Sequence, residues 1–154
     1  PYTTLFRSTQ GYQELAAYIT ELDAPVFADR YPYAAMLNFH QQTRTVAQWP
    51  GITRPSEYGR GRIADIPRLE LLRGTGFWLI AHKFSPPQIP GFAAAQTRTA
   101  IACRGKPLQV FDGAVGTTAG GCEKPFLILS IYRYRPAERS EQPAAGVVPA
   151  PLPD

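Results

Sequence analysis

Val26–His40 reads VFADRYPYAAMLNFH, and the reading of these residues decides the fold. Val26, Phe27 and Ala28 lie between Pro25 and Asp29, a short apolar run bounded by turn-forming residues, which predicts a buried strand over 25–29. From Arg30 the pattern lengthens. RYPYAAMLNFHQQ (30–42) carries Ala35, Leu37 and Phe39. Pro32 fits its first turn, where a missing N–H costs nothing, so a helix is predicted there. Upstream, TQGYQELAAYITELDAP (9–25) repeats Tyr12, Leu15, Ala16, Ile19 and Leu22 at spacings of three and four. That is an amphipathic helix, with Thr9 as its N-cap and Pro25 as its stop. Helix, strand and helix in this order imply an α/β layer.

Working toward the C-terminus, RTVAQWPG (44–51) reads as another strand and ITRPSEYGRGRIADIPR (52–68) as irregular. The turn-like RGTG (73–76) leads into GFWLIAHKF (76–84), a short aromatic and apolar strand. SPPQIPGF (85–92) is a loop, because closely spaced prolines break both helix and ladder. TRTAIACRGKPLQVFDG (97–113) reads as two strands around an RGKP turn, and KPFLILSIYRYR (124–135) is the strongest strand signal in the chain. GAVGTTAGG (113–121) between them is expected to be a flexible connection. The expected fold class is therefore α/β in the broad, mixed α+β sense: a small mixed sheet, two N-terminal helices and a C-terminal antiparallel hairpin region.

The chain has 154 residues, enough for one domain with a real core and too few for two. Its composition, 44% hydrophobic and 18% charged, excludes a wholly disordered protein. Residues 136–154 differ: five of the sixteen prolines fall there, without periodicity or enough large apolar residues to pack, so a disordered tail is predicted. No run approaches the ~18–20 apolar residues that would span a bilayer. The basic excess is arginine, and Arg54, Arg60, Arg62, Arg68 and Arg73 form a local patch suited to phosphate or an anionic membrane surface. A net charge of +4, without an aromatic-basic RNA motif or zinc-finger spacing, gives no ground for a nucleic-acid partner.

Independent catalytic signals are scarce. The two histidines, His40 and His82, lack neighbouring ligands at metal-binding spacing, and two cysteines cannot make a four-ligand zinc site or a CxxC pair. His82, at the end of an apolar strand, reads as a packed or edge residue. The glycine-rich GAVGTTAGG lacks the Gly-Lys-Ser/Thr ending of a phosphate-cradling loop. No catalytic residue, metal site or cofactor is assigned. Two stretches remain as contact candidates. Asp29, Arg30 and Tyr31 stand at the carboxyl end of the first strand, where open α/β sheets place their ligand crevice. The favoured reading of Asp29 is as the cap of the following helix, a role compatible with ligand contact. In RPSEYGRGR (54–62), Arg54, Arg60 and Arg62 can offer planar donor forks to a phosphate while Tyr58 stacks or hydrogen-bonds. A solvated loop with scattered surface charges fits the same residues. Cys103 and Cys122 can form one disulfide in an oxidising compartment and remain thiols otherwise.

GYQELAAYI, VFADRYPYAAMLNFH and RPSEYG, in that order and at these separations, resemble the C-terminal region of bacterial polytopic membrane glycosyltransferases. The family is the one similar to dolichyl-phosphate-mannose protein mannosyltransferases and lipid A aminoarabinose transferases. Gly11 and Tyr12 match a Gly-aromatic helix start, Asp29, Arg30 and Tyr31 a strand ending in Asp-Arg-Tyr, and Phe39 a helix ending in Phe-Tyr, with His40 in place of Tyr. Arg54 and Tyr58 match an Arg-x-x-Gln-Tyr-Asp segment, from which Glu57 and Gly59 depart.

The resemblance implies that residues 9–135 are an accessory domain on the extracytoplasmic, periplasmic side of the bacterial inner membrane. The enzyme as a whole would transfer a sugar from a polyprenyl-phosphate carrier to a lipid or protein acceptor, with its catalytic acid in a membrane part that is absent here. The implied partners are that transmembrane part, the polyprenyl-phosphate sugar and membrane lipid head groups, with the arginines near lipid phosphates. In that compartment Cys103 and Cys122 are expected to be bonded. Residues 1–8, PYTTLFRS, back-translate to CCC TAC ACG ACG CTC TTC CGA TCT, which looks like the adapter used in short-read DNA sequencing, so a translated artefact is expected there. The alternative is a free-standing α/β domain that binds a phosphorylated small molecule through Asp29–Tyr31 and the arginine loop.

Overall fold

Five consecutive apolar residues, Phe77–Ala81, are all buried, so the strand they form has to lie inside a sheet covered on both faces. The computed structural model describes residues 2–40, 46–49, 69–82 and 84–137, with side chains from residue 11 onward. In chain order the elements are α1 (Tyr2–Ile19), β1 (Val26–Ala28), α2 (Tyr31–His40), β2 (Ala47–Gln48), α3 (Leu69–Thr75), β3 (Phe77–Ala81), β4 (Phe92–Ala102), β5 (Gln109–Asp112) and β6 (Leu127–Pro136). The six strands make one sheet in the order β2-β1-β3-β6-β4-β5. β1 runs parallel to both β2 and β3, whereas the β3–β6, β6–β4 and β4–β5 pairs are antiparallel. The fold is thus mixed α+β, as expected, with a parallel half and an antiparallel half. No helix among the described residues is long and apolar enough to cross a membrane.

The period-two alternation of strand side chains divides the core into two chemically different layers. On one face Trp78 and Ile80 join Val26, Ala28, Leu129 and Ile131 beneath Leu15, Ala16 and Ile19 of α1 and Leu37 of α2. Each fully buried Leu or Ile there stabilises by roughly 1.5–3 kcal/mol. On the other face Phe77 and Leu79 join Phe27, Trp49, Tyr132 and Tyr134, a layer rich in aromatic rings beside Leu72, Ala81 and Ile89. Trp49 stacks on Phe77 at 4.1 Å and Phe77 on Tyr134 at 5.1 Å, while Phe27 meets Trp49 edge-on at 5.0 Å. Offset and edge-to-face geometries of this kind add about 0.5–1.5 kcal/mol per pair beyond burial.

Helix α1 has the predicted apolar stripe but different limits. It begins at Tyr2, so Thr9 stands inside it and is not its N-cap. It ends before Pro25: the amides of Glu21 and Leu22 donate to the carbonyls of Tyr18 and Ile19, a tightened last turn, and Thr20 Oγ1 donates to Ala17 O. Gly11 is there for space, since a Cβ would lie 3.1 Å from Ala102, Phe126 and Leu127 where the helix crosses the sheet. In α2 the buried residues are Ala34 and Leu37, while Phe39 is 78% exposed. The Asn38 amide donates to Val46 O and accepts from Val46 N, both at 2.7 Å, which leads the chain into β2.

Three local expectations need correction. Residues 73–76 read as a turn by sequence, yet 69–75 form helix α3; Leu72 is buried, and the helix ends at Gly76, whose φ of 80° no β-carbon tolerates well. A Cβ at Gly76 would also lie 2.1 Å from Tyr134 O. Phe92, placed in the loop by sequence, opens β4, which pairs with β6 from Phe92 to Ala102 around an irregularity between Ala94 and Gln96. The glycine-rich 113–121 connection is tied down instead of flexible. It holds a 3-10 turn, Thr117–Gly120, whose Gly120 carbonyl accepts from Gln109 Nε2 at 2.8 Å and Lys106 Nζ at 3.3 Å. Cys103 and Cys122 are joined in a disulfide beside it.

Candidate functional site

β1 and β3 are parallel neighbours, with Ala28 opposite Ile80, so the residues that follow each strand emerge at the same sheet edge. Asp29 follows β1 and His82 follows β3. Asp29 is wholly buried; its amide donates to Ile80 O at 2.9 Å, and its Oδ2 accepts from the His82 amide at 3.2 Å. Burial raises the Asp29 carboxyl above the ordinary range, against the opposing pull of the His82 amide and the Arg30 charge.

The first turn of α2 then lays aromatic residues over this edge. Tyr33 Oη lies 3.2 Å from Nδ1 of the exposed His82, and the imidazole tautomer decides which group donates. Tyr12, from α1, stacks on Tyr33 at 6.4 Å. Burial and the neighbouring Tyr33 push the Tyr12 phenol up to about 12. Burial and the Asp29 charge raise Tyr33. Tyr132, on β6, is raised chiefly by burial and further by Asp29. Asp29 thus lies buried at an edge where Tyr33 meets the His82 imidazole and Arg30 is exposed.

Such an edge can exchange hydrogen bonds with a hydroxylated ligand and offer one guanidinium to an anionic group. Among the described residues, no group of three His, Cys, Asp or Glu could hold a metal ion. Of the residues singled out by sequence, Asp29, Arg30 and Tyr31 lie together here. Arg54, Tyr58, Arg60 and Arg62 lie outside the described residues. Sequence reading missed His82, Tyr33 and Tyr132 as members. The signal for His82 was available: a polar residue directly after an apolar strand, like Asp29 after β1, shares its edge if the strands are parallel neighbours.

Comparison with protein-family models, with curated proteins and with solved structures found no match.

Proposed function

We propose that this chain is the accessory extracytoplasmic domain of a polytopic membrane glycosyltransferase, which transfers a sugar from a polyprenyl-phosphate carrier to a lipid or protein acceptor. Its role is to position the acceptor or cover the catalytic cavity of the membrane part, without catalytic groups of its own. One observation carries the reading: two successive stretches of the resemblance, 11–19 and 26–40, pack together at one sheet edge. Tyr12 of the first stretch stacks on Tyr33, two residues beyond the Asp29–Tyr31 stretch, and Gly11 beside it permits the close helix crossing that brings Tyr12 there. The edge so formed has hydrogen-bonding groups, Tyr33 and His82, suited to sugar hydroxyls. The Cys103–Cys122 disulfide also suits an oxidising compartment.

The test is to recover the native DNA upstream of the codon for Thr9 from the source material. Several hydrophobic spans with an acidic residue in the first outer loop are expected. A start codon or secretion signal immediately before Thr9 sinks the proposal.

A further inference from the structure

At the sheet end opposite Asp29, just beyond the last turn of α1, a cavity of about 180 Å3 is lined by Asp23, Trp78, Gln96, Arg98, Arg133 and Arg135. From the geometry we infer that this cavity is a binding site for a small oxyanion, a phosphate or carboxylate group held by Arg98, Arg133 and Arg135. The inference is independent of the glycosyltransferase reading and uses none of the residues at the Asp29 edge.

Arg133 supplies a fixed charge. It is only 4% exposed, and its guanidinium donates to the carbonyls of Tyr134 at 2.7 Å, Thr75 at 2.9 Å and Phe77 at 3.3 Å. Its Nε has no hydrogen-bond partner among the described residues, with Asp23 Oδ1 standing off at 3.7 Å. Arginine stays charged in proteins, so this buried cation cannot be relieved by losing a proton. Arg98 is held as firmly: its guanidinium lies 4.7 Å above the Trp78 ring and its Nη1 donates to Tyr18 Oη at 2.5 Å. With the Gln96 amide oxygen turned toward it, Nη2 and Nε donate there at 3.0 and 3.3 Å. Arg133 lies over the same indole at 5.8 Å. Two forks are therefore preorganised on one aromatic ring, which lowers the ordering cost of binding. Arg135 is exposed and makes no ion pair among the described residues, leaving its fork available to a ligand.

The carboxylates nearby are committed to two of the three arginines. Arg98 Nε stands 4.0 Å from the exposed Asp112, and Asp23 accepts from the Trp78 indole at 2.8 Å and pairs with Arg133. Arg135 is the guanidinium at this cavity that has no ion pair among the described residues. The volume is below the ~300–1,000 Å3 of drug-sized pockets, and Trp78 is only 3% exposed, so no ring can stack there. A compact group with several acceptor oxygens fits both limits.

The chain has two tryptophans, and the Trp78 indole N–H, bonded to Asp23 at the site, is a local reporter. The experiment follows both indole resonances in 15N-labelled protein during titration with inorganic phosphate, with sodium acetate, and with sodium chloride at matched ionic strength. A saturable shift of the Trp78 signal in phosphate or acetate, with Trp49 unmoved and chloride inert, is expected. Arg135→Ala, at an exposed position, should weaken it at least about tenfold, the value of one charge-assisted hydrogen bond. Arg73→Ala, on α3, should leave it unchanged. Co-sedimentation with phosphatidylglycerol vesicles identifies the source: binding lost in Arg135→Ala there, without a response to free anions, assigns the site to a lipid head group. No saturable shift together with no Arg135-dependent vesicle binding overturns the inference, as does binding that Arg135→Ala leaves intact.

Discussion

The two ends of the sheet each bury one charge, and they handle it in opposite ways. At one end Arg133 is clamped by three backbone carbonyls and flanked by the Asp23 carboxylate. At the other end Asp29 is equally buried, yet burial pushes its carboxyl upward against the hydrogen bond it accepts from the His82 amide. A charge that satisfies orphan carbonyls where a helix, a turn and a strand meet is part of the fold's closure. A carboxyl kept in tension beside an exposed histidine costs the fold something, and groups of that kind concentrate at ligand sites. The contrast separates a charge that the fold satisfies with its own backbone carbonyls from one that burial leaves in tension.

The largest expected effect falls on the first end. Arg133→Met keeps much of the aliphatic stem but removes all three carbonyl contacts and one cation from the face of Trp78. Hydrogen bonds to charged groups are worth about 1.5–3 kcal/mol each and do not add fully, so a loss of about 4 kcal/mol is expected in urea unfolding. A loss under 1 kcal/mol would dissolve the contrast. Next in size is the disulfide, which fastens the Asp29 end, since Cys103 follows the last residue of β4 there. Cys103→Ser with Cys122→Ser releases a loop of similar length to those worth about 3 kcal/mol, and the same unfolding assay should show a loss of that order.

How far these ends were legible in sequence follows from the signals each one leaves. β3 and β6 are buried on both faces, so their apolar runs announced themselves, and α1 showed its stripe. α3 did not: it is seven residues long, contains Gly74 and leaves Glu70, Leu71, Arg73 and Thr75 exposed, too short a pattern for a periodic signal. The first half of β4 was missed because Ala94, Ala95 and Gln96 are exposed, and their pairing with β6 is a tertiary fact. The Gly120 carbonyl that fixes the glycine-rich loop is backbone, invisible to residue type. Asp29, Arg30 and Tyr31 were found as a local motif, whereas His82 and Tyr132 join them only through strand order.

The pH dependence of Asp29 sharpens the comparison further. Burial raises its carboxyl in the folded chain, so the folded state keeps that proton at pH values where the unfolded state, with a value near 4, has lost it. The stability contributed by the protonated group is complete below about pH 4 and is lost as pH rises through the folded value. Asp29→Asn can still accept from the His82 amide and carries no charge to bury. The variant should match the wild type at about pH 4 and become the more stable of the two as pH approaches 7. Unfolding curves at several pH values check this; a gap that narrows with rising pH would show the carboxylate to be favourably paired, like Arg133.

The smallest expected effect lies at the mouth of the crevice. Tyr33→Phe keeps the ring that stacks on Tyr12 and removes only the hydroxyl that meets His82. That contact is solvent-exposed, so water replaces the lost partner and stability should change by no more than about 0.5 kcal/mol. A group that the fold can discard so cheaply is held in place by the ring beneath it, and its polar end is free to address a ligand. If Tyr33→Phe instead costs more than about 1 kcal/mol, the Tyr33–His82 contact is a structural tie. The Asp29 end would then close the fold as Arg133 does, and the case for a crevice there would fall with it.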